Sequence, residues 1–389
     1  MNLAYSKIEK INDYSIKIVT SSIFPTFLLK LRNCVILPKK YIEKNGLQYF
    51  LENPIGTGPY MNPQITKIEN IKIVTLSRND KYWGKKPYFK KVQFYICDNQ
   101  NIEQFMMKEN FDLFVWFDLN FYLKYQNLKN YNKLSTAGLR TNFLILNCLD
   151  KKNDYISLQT NPLANELVRK AIYYTINTNE IVNKIFSDNA TSANQLVSPF
   201  VIGFNPKIPK QTQNIEFAKR LLSSVNLSSG FSITFHYLIQ DKIWEKIAIL
   251  LQDYLKAINI DLKLIKVDES EFFKIRKEQN FSMIPFSLSS ATGDALFIIS
   301  TLIHTKIESW GYYNYSGFSD KQTDELIEKV NEEFDEQKRI ALYQKIMELT
   351  MDKVPYIPLY WPNVIALCRK NLKWQIRSDE RVYAFEMSY

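Results

Sequence analysis

The stretch best suited to chemistry reads SLSSATGDALF and covers residues 287–297. It places small and hydroxyl residues next to Thr292, Gly293 and the carboxylate of Asp294, just before an apolar run of helical character. A strand that ends in such a loop can present backbone N–H groups and the positive end of a helix dipole to a ligand carboxylate. Because Asp is also a preferred cap at a helix N-terminus, ligand binding and capping both stay open for Asp294.

Arg140, in the segment GLRTNF, is a second candidate, and Asn142 follows it two positions later. A guanidinium can pair with a ligand carboxylate through two parallel hydrogen bonds, and an ordinary surface salt bridge is the alternative. Trp361, after PLY, and Trp310 offer rings that can stack on a ligand or pack in the core. The predicted ligand site consists of Asp294, Gly293, Thr292, Arg140, Asn142, Trp361 and Trp310.

Catalysis is not expected from this sequence. No GxSxG elbow or comparable nucleophile motif occurs. Two histidines are present, His236 and His304, and they lie far apart in the chain. Imidazole suits nickel, so capture of a nickel chelate is an alternative function, but a single histidine in a strand or after an apolar run is typical of a structural residue. We predict neither a metal nor a cofactor.

The four cysteines, Cys34, Cys97, Cys148 and Cys368, form no CxxC pair and no metal-ligand spacing. Buried apolar roles and distant disulfides both stay open, so the cysteines do not fix the compartment. The first twenty residues alternate polar and apolar side chains and show no secretory signal pattern. The longest apolar runs are about half of the ~20 residues that a membrane span needs.

Composition and length indicate a globular chain of more than one domain. The residues are 46% hydrophobic and 23% charged, which is typical of folded proteins. A length of 389 residues is typical of two or three domains. The net charge of +10 comes from lysines spread along the whole chain. A nucleic-acid binder would concentrate basic residues on one element, so we expect a solvated basic surface and no nucleic-acid partner.

The elements that must position the candidate residues change character along the chain. Period-two patterns predict strands at 71–79, 90–98 and 139–148. Helical periodicity then begins at 165–177, with Asn165 as N-cap, and helices and strands alternate after residue 214. Such alternation is typical of an α/β domain with crossover helices. Ser319, with Gln322 three residues later, predicts the capping box of a late helix.

The glycines of NPIGTGPY, residues 53–60, raise the question of a phosphate-binding loop. Dinucleotide and Walker loops need further glycines or a GK[ST] ending, and they open a helix. Here Pro59 removes an N–H and another proline follows in a segment without helical period. The pattern predicts a tight turn into a strand, with Gly56 and Gly58 free to adopt positive φ.

NPIGTGPY, followed by RNDKYWGKKP, resembles a turn-strand-loop signature of one family of proteins. That family is the large solute-binding proteins of ABC importers, which take up peptides, glutathione, opines and nickel. NPLANELVRKAIYYTINTNEIV, SGFSDKQTDELIEKV and VPYIPLYW are similar to its later segments, in the same order. The resemblance extends over nearly the whole chain.

The resemblance implies an α/β, two-lobed, periplasmic-binding-protein-like fold of type II, large cluster C type, with a hinge between the lobes. It places a remnant of a small accessory lobe at 1–55, lobe one at 56–147 plus 361–389, and lobe two at 148–360. Hinges would lie near Asn147 and Tyr360. The implied function is non-catalytic capture of a peptide-like solute by a monomer, which delivers it to a membrane permease and its ATPase.

Two departures from the family pattern qualify these expectations. The chain begins inside the small lobe, so we expect that lobe to be incomplete, and a truncated remnant that binds nothing is a further alternative. The loop at 287–297 lacks the tryptophan and first aspartate of W-x-x-D-Y-x-D-P and looks more like the glutathione-binding branch. Family members work in the periplasm or anchored outside the membrane, and we expect the same location here.

Overall fold

The computed structural model describes residues 5–32, 34–68, 71–96, 102–103, 111–115, 119–290 and 292–389. It consists of two compact units. The first unit holds the described residues of 1–32 and 137–363, and the second unit holds those of 33–136 and 364–389. The lobe boundaries expected from the sequence stay a prediction.

The strands are β1 (Tyr5–Asn12), β2 (Ser15–Thr20), β3 (Tyr60–Ile68), β4 (Ile71–Arg78), β5 (Lys91–Ile96), β6 (Leu113–Val115), β7 (Tyr131–Ala137), β8 (Arg140–Leu146), β9 (Ala190–Ser192), β10 (Phe231–Leu238), β11 (Ile260–Val267), β12 (Met283–Ser289) and β13 (Tyr356–Arg369). The helices are α1 (Phe27–Leu31), α2 (Lys39–Asn45), α3 (Leu47–Glu52), α4 (Leu119–Tyr125), α5 (Glu166–Thr175), α6 (Thr178–Phe186), α7 (Ile215–Ser224), α8 (Lys242–Lys256), α9 (Glu269–Glu278), α10 (Leu296–Ile298), α11 (Lys321–Glu332) and α12 (Glu336–Lys353). A π-helical turn, Ile299–Ile303, continues α10, and 3-10 turns cover Pro162–Ala164, Ser187–Asn189 and Ala384–Glu386.

The first unit is built on a mixed sheet in the order β11, β10, β12, β8, β13, with β9 also paired to β13. Strands β10, β11 and β12 run parallel, whereas β8 is antiparallel to both β12 and β13. Helices α8 and α9 connect the parallel strands, as a parallel sheet requires. The predicted α/β alternation is confirmed in this unit.

Both faces of this sheet are buried because helices cover each of them. Phe143 and Ile284 are fully buried in a large cluster on one face, with Tyr343 and Met347 of α12. Leu144, also fully buried, points to the opposite face by strand alternation. Near-continuous apolar runs in β8 and β12 follow from this two-sided burial.

Each helix of the first unit that is longer than one or two turns begins with a side-chain cap. Asn165 accepts from the amide of Leu167, and Asn177 accepts from the amide of Glu180. The predicted capping box at Ser319 is wrong. Asp320 is the cap instead, because its carboxylate accepts from the amide and hydroxyl of Thr323.

Arg169 fixes the start of α5 to the end of α12. Its side chain is buried and donates five hydrogen bonds to the carbonyl oxygens of Leu163, Ala164, Lys353 and Val354. A guanidinium has five N–H donors, and no other side chain could donate to all four of these carbonyl oxygens. The arginine of the NPLANELVRKA segment therefore has a structural role.

The second unit contains the antiparallel sheet β3, β4, β5. Strands β6 and β7 pair with β13, which enters this unit with its last six residues. A small cluster of Cys368, Leu372 and Met387 packs with Phe89 and Trp374, among others. Among the described cysteines, Cys148 and Cys368 are free thiols and Cys34 is exposed, while Cys97 lies outside the described residues.

The NPIGTGPY turn leads into β3 and is tied to the loop that follows β4. Asn79 donates from its backbone to Pro59 O at 2.9 Å and from its side chain to Gly58 O at 3.0 Å. Arg78 donates to Pro87 O at 3.1 Å. The predicted turn is present, and neither Gly56 nor Gly58 uses the positive φ that a glycine allows.

Within the described residues, no helix combines the length and apolarity that crossing a bilayer would require.

Candidate functional site

The carboxyl ends of the parallel strands meet at one edge of the first unit's sheet. Strands β10 and β12 end there at Leu238 and Ser289, and the antiparallel β8 begins there at Arg140. Open α/β sheets bind ligands at this edge, because the strands end together and loops and helix N-termini converge on it. We call the polar residues gathered here the strand-end site.

The register of β8 sets which side chains share a face at the strand-end site. Arg140 lies opposite Ser289, and Asn142 lies opposite both Ser287 on β12 and Tyr360 on β13. Residues directly opposite each other in antiparallel strands point to the same face. Arg140 Nη1 also donates to Ser287 Oγ at 3.3 Å. The structure thus brings Arg140 and Asn142 together. It adds Ser287, Ser289 and Tyr360, which the sequence did not single out as ligand-binding residues.

Opposite charges flank the hydroxyl of Tyr360. Burial raises the pKa of Tyr360, the Asp241 carboxylate raises it further, and the Arg140 guanidinium opposes them. Asp241 follows β10 and caps α8, where its carboxylate accepts from the amides of Ile243 and Trp244. A guanidinium and a carboxylate therefore stand at the same edge, an arrangement complementary to a zwitterion.

Ser290, at the end of β12, is 1% exposed, and its hydroxyl has no partner among the described residues. Buried polar groups are normally paired, and leaving one unpaired costs about 1–3 kcal/mol. Asn142 is 6% exposed and shares its face of the sheet with Arg140 and Tyr360.

The loop after β12 is committed mainly to internal contacts. Asp294 is buried, and its Oδ1 accepts from the Leu296 amide and the Tyr343 hydroxyl, each at 2.8 Å. Its Oδ2 lies 3.8 Å from Arg339 Nη2. These contacts fit the capping alternative held open for Asp294, and its contact with a ligand stays a prediction.

Gly293 and Thr292 are more accessible than Asp294. Gly293 has φ +74°, and a Cβ built on it would meet no atom within 4 Å. Its amide, however, donates to Ser290 O at 2.7 Å, so that N–H is not offered to a ligand. Thr292 is half-buried. Direct ligand contact by these two residues stays a prediction.

The two candidate tryptophans have protein partners. Trp361 is buried, donates from Nε1 to Thr141 Oγ1 at 3.1 Å, and lies on the face of the sheet opposite Arg140. Trp310 stacks on His304 with ring centroids 4.8 Å apart. A core role, held open for both residues, fits these contacts, and ligand stacking stays a prediction.

The histidines are buried in separate settings. His236, in β10, is 1% exposed, lies edge-on to the Tyr155 ring, and has its pKa lowered to about 4 by burial. His304 Nδ1 lies 2.7 Å from Thr305 O and its Nε2 lies 3.4 Å from Glu328. In the part of the chain that the structure describes, no group of three or more His, Cys, Asp or Glu side chains is arranged to hold a metal ion.

Residues 2–310 match the model of the bacterial extracellular solute-binding proteins, family 5. The chain belongs to this family. The resemblance seen in the sequence is confirmed, and so is the α/β class of a periplasmic-binding-protein-like fold.

Relatives of this family 5 protein are named for what they bind. The dipeptide-binding protein of Escherichia coli K12 is 24% identical over 98% of this chain and 71% of its own length. The glutathione-binding protein GsiB of Salmonella paratyphi A is 22% identical over 94% of this chain and 70% of its own length. The periplasmic binding protein DppA of Helicobacter pylori, solved with the peptide STSA, superposes with a TM-score of 0.77 at 24% identity, over 99% of this chain and 74% of its own.

Proposed function

We propose that this family 5 protein captures a peptide-like solute, a short peptide or glutathione, outside the cytoplasmic membrane and delivers it to an ABC permease with its ATPase. It acts by binding, as a monomer, and not by catalysis. Support comes from the family and from relatives that are named as dipeptide- and glutathione-binding proteins.

The strand-end site would recognise the charged ends of such a solute. Arg140 would pair with a carboxylate, and Asp241 would face an ammonium group from the start of α8. Short peptides and glutathione carry both groups. Thr292 and Gly293 would contact the solute from the neighbouring loop, where open space surrounds the glycine.

The pair of opposite charges at one sheet edge is the single observation that carries this proposal. The Arg140 guanidinium and the Asp241 carboxylate both act on the Tyr360 hydroxyl, and Tyr360 lies opposite Asn142 on the face that holds Arg140. A short peptide or glutathione carries a carboxylate that a guanidinium can bind and an ammonium group that a carboxylate can bind.

Isothermal titration calorimetry of the purified chain with glutathione and a panel of dipeptides and tripeptides tests the proposal. We expect saturable binding of at least one of them. Arg140→Ala should weaken it by roughly 10- to 100-fold, because a charge-assisted hydrogen bond contributes about 1.5–3 kcal/mol. Arg220→Ala is the matched control, since Arg220 is exposed and lies over the Phe217 ring.

Three results would contradict the proposal. Binding of none of these solutes would reject the peptide-like class. Equal affinities for Arg140→Ala and Arg220→Ala would reject the strand-end site. Recovery of a cleaved solute after incubation, measured by mass spectrometry, would reject a purely binding role.

A further inference from the structure

A loop of the second unit carries positive charges and aromatic rings that the proposed function does not use. It covers residues 79–91, from the end of β4 to the first residue of β5, and we call it the basic loop. Trp83 in this loop is 82% exposed, and Tyr88 is 56% exposed. Its lysines are all exposed, namely Lys81, Lys85, Lys86, Lys90 and Lys91. The strand-end site, in contrast, belongs to the first unit.

The carboxylate within the basic loop does not neutralise these lysines. It belongs to Asp80, whose Oδ1 accepts from Nε of Arg78 at 2.9 Å. Within the described residues, none of the five lysines forms an ion pair. The basic loop therefore presents five positive charges to solvent without a compensating negative charge.

Hydrogen bonds hold the basic loop in a defined conformation. The backbone amide of Arg78 donates to Lys90 O at 2.8 Å, which closes the two ends of the loop. Arg78 Nη1 also donates to the carbonyls of Pro87 and Tyr88, at 3.1 and 3.3 Å. Compact surface loops with closed ends frequently have a function of their own. The exposure of Trp83 is thus a feature of a fixed loop.

We propose that the basic loop binds a surface of anionic lipid headgroups. A lysine ammonium group acts as a compact point charge, and clusters of lysines are attracted to such a surface without a fixed partner geometry. Trp and Tyr side chains are enriched where proteins meet the headgroup layer, because their rings are partly apolar and partly polar. Trp83 and Tyr88 supply these rings between the lysines.

A partner protein fits the basic loop less well than a lipid surface. Protein interfaces are enriched in arginine and depleted of lysine, whereas each cation that the basic loop exposes without an ion pair is a lysine. The neighbouring arginine, Arg78, is committed to Asp80 and to backbone carbonyls. A nucleic acid would be attracted by the same charges, so the test includes one.

Sedimentation with lipid vesicles tests the proposal on the purified chain. One set of vesicles consists of equal parts of phosphatidylcholine and phosphatidylglycerol, and the other of phosphatidylcholine alone. Binding to the anionic vesicles should be at least tenfold stronger than to the neutral ones. It should weaken as the salt concentration rises, because salt screens exposed charges.

Two double variants locate the charges that matter. Lys85→Glu combined with Lys86→Glu should weaken binding to the anionic vesicles at least tenfold. Lys207→Glu combined with Lys210→Glu is the matched control, because both lysines are exposed in the first unit and the net charge changes by the same amount. The control should weaken binding less than threefold. Circular dichroism verifies that each variant is folded before its affinity is compared.

A second pair of variants tests the aromatic contribution. Trp83→Ala should weaken binding to the anionic vesicles at least fivefold, because the ring no longer enters the headgroup layer. Tyr312 is 70% exposed in the first unit, so Tyr312→Ala should change this affinity less than twofold.

Each other outcome overturns the inference. Equal sedimentation with both kinds of vesicle, or with neither, would reject an anionic lipid surface. Equal losses in the two double variants would assign the binding to net charge and not to the basic loop. Binding to duplex DNA as strong as to anionic vesicles, with no effect of Trp83→Ala, would assign the loop to nucleic acid. None of these results depends on glutathione or peptide binding at the strand-end site, so the two proposals fail separately.

Discussion

The burial of His236 predicts a specific dependence of stability on pH. The ring is 1% exposed, its Nδ1 lies 3.4 Å from Thr234 Oγ1, and its Nε2 has no recorded partner. Within the described residues no carboxylate contacts the ring, so nothing offsets the cost of charging it in this environment. Burial accordingly lowers the pKa of His236 from 6.5 to about 4.

The magnitude follows from the shift. Between pH 6.5 and 4 the unfolded chain binds a proton at His236 that the folded chain does not, so the free energy of unfolding falls as the pH falls. Each unit by which the pKa is lowered corresponds to about 1.4 kcal/mol. The free energy of unfolding therefore falls by roughly 3 kcal/mol by pH 4, and it is unaffected above pH 6.5. His236→Phe keeps a ring against Tyr155 but cannot bind the proton.

Urea unfolding followed by circular dichroism, at intervals from pH 7 to 4.5, measures this loss. Carboxylates also titrate in this range, but they do so equally in both proteins, so the difference in slope isolates His236. We expect the wild-type chain to lose roughly 2–3 kcal/mol more than His236→Phe between pH 6.5 and pH 4.5. The chain has only two histidines, so NMR of the ring protons can also follow His236 directly. Equal slopes, or a His236 resonance that titrates near 6.5, would refute the reasoning.

Three further predictions concern stability. Gly230 has φ +85°, and an added Cβ would fall on the carbonyl of Asn259, so Gly230→Ala should lower the free energy of unfolding in urea by roughly 2–4 kcal/mol. Gly58→Ala is the control, because the nearest atom to an added Cβ is 3.8 Å away, and it should change stability by less than about 0.5 kcal/mol. Arg169→Lys should cost roughly 3 kcal/mol, because lysine cannot replace five hydrogen bonds to carbonyls; an unchanged thermal midpoint would contradict that role. Asp294→Asn should cost about 3 kcal/mol in the same assay with less than threefold change in solute affinity, and a larger loss of affinity would assign Asp294 to the ligand.

Local signals predicted many elements correctly because they depend on neighbouring residues alone. Asn165 and Asn177 open helices where the sequence placed them, and the strand expected at 71–79 is β4. The prediction of Ser319 as the cap is wrong because the adjacent carboxylate of Asp320 accepts the hydrogen bond from the helix amide instead. Residue spacing alone does not show which of two neighbouring polar side chains has the geometry to cap a helix.

The apolar run after Asp294 departs from the regular helix that its pattern predicts. Only Leu296–Ile298 is α-helical, and a π-helical turn follows. The amides of Gly311 and Tyr313 donate to the carbonyls of Ser300 and Thr301, which lie in the last turn, where a helix leaves its carbonyls without internal partners. Hydrophobic periodicity does not predict these contacts with the following loop.

The family, the α/β class and the turn at NPIGTGPY could be predicted without coordinates, because each depends on ordered local motifs and periodicity. Which candidate residues lie together could not. Strand register brought Arg140 and Asn142 together with Ser287 and Tyr360, and strand alternation put Trp361 on the other face. The register of strand pairing depends on how residues far apart in the chain bury both faces of the sheet, and a local sequence pattern does not predict it.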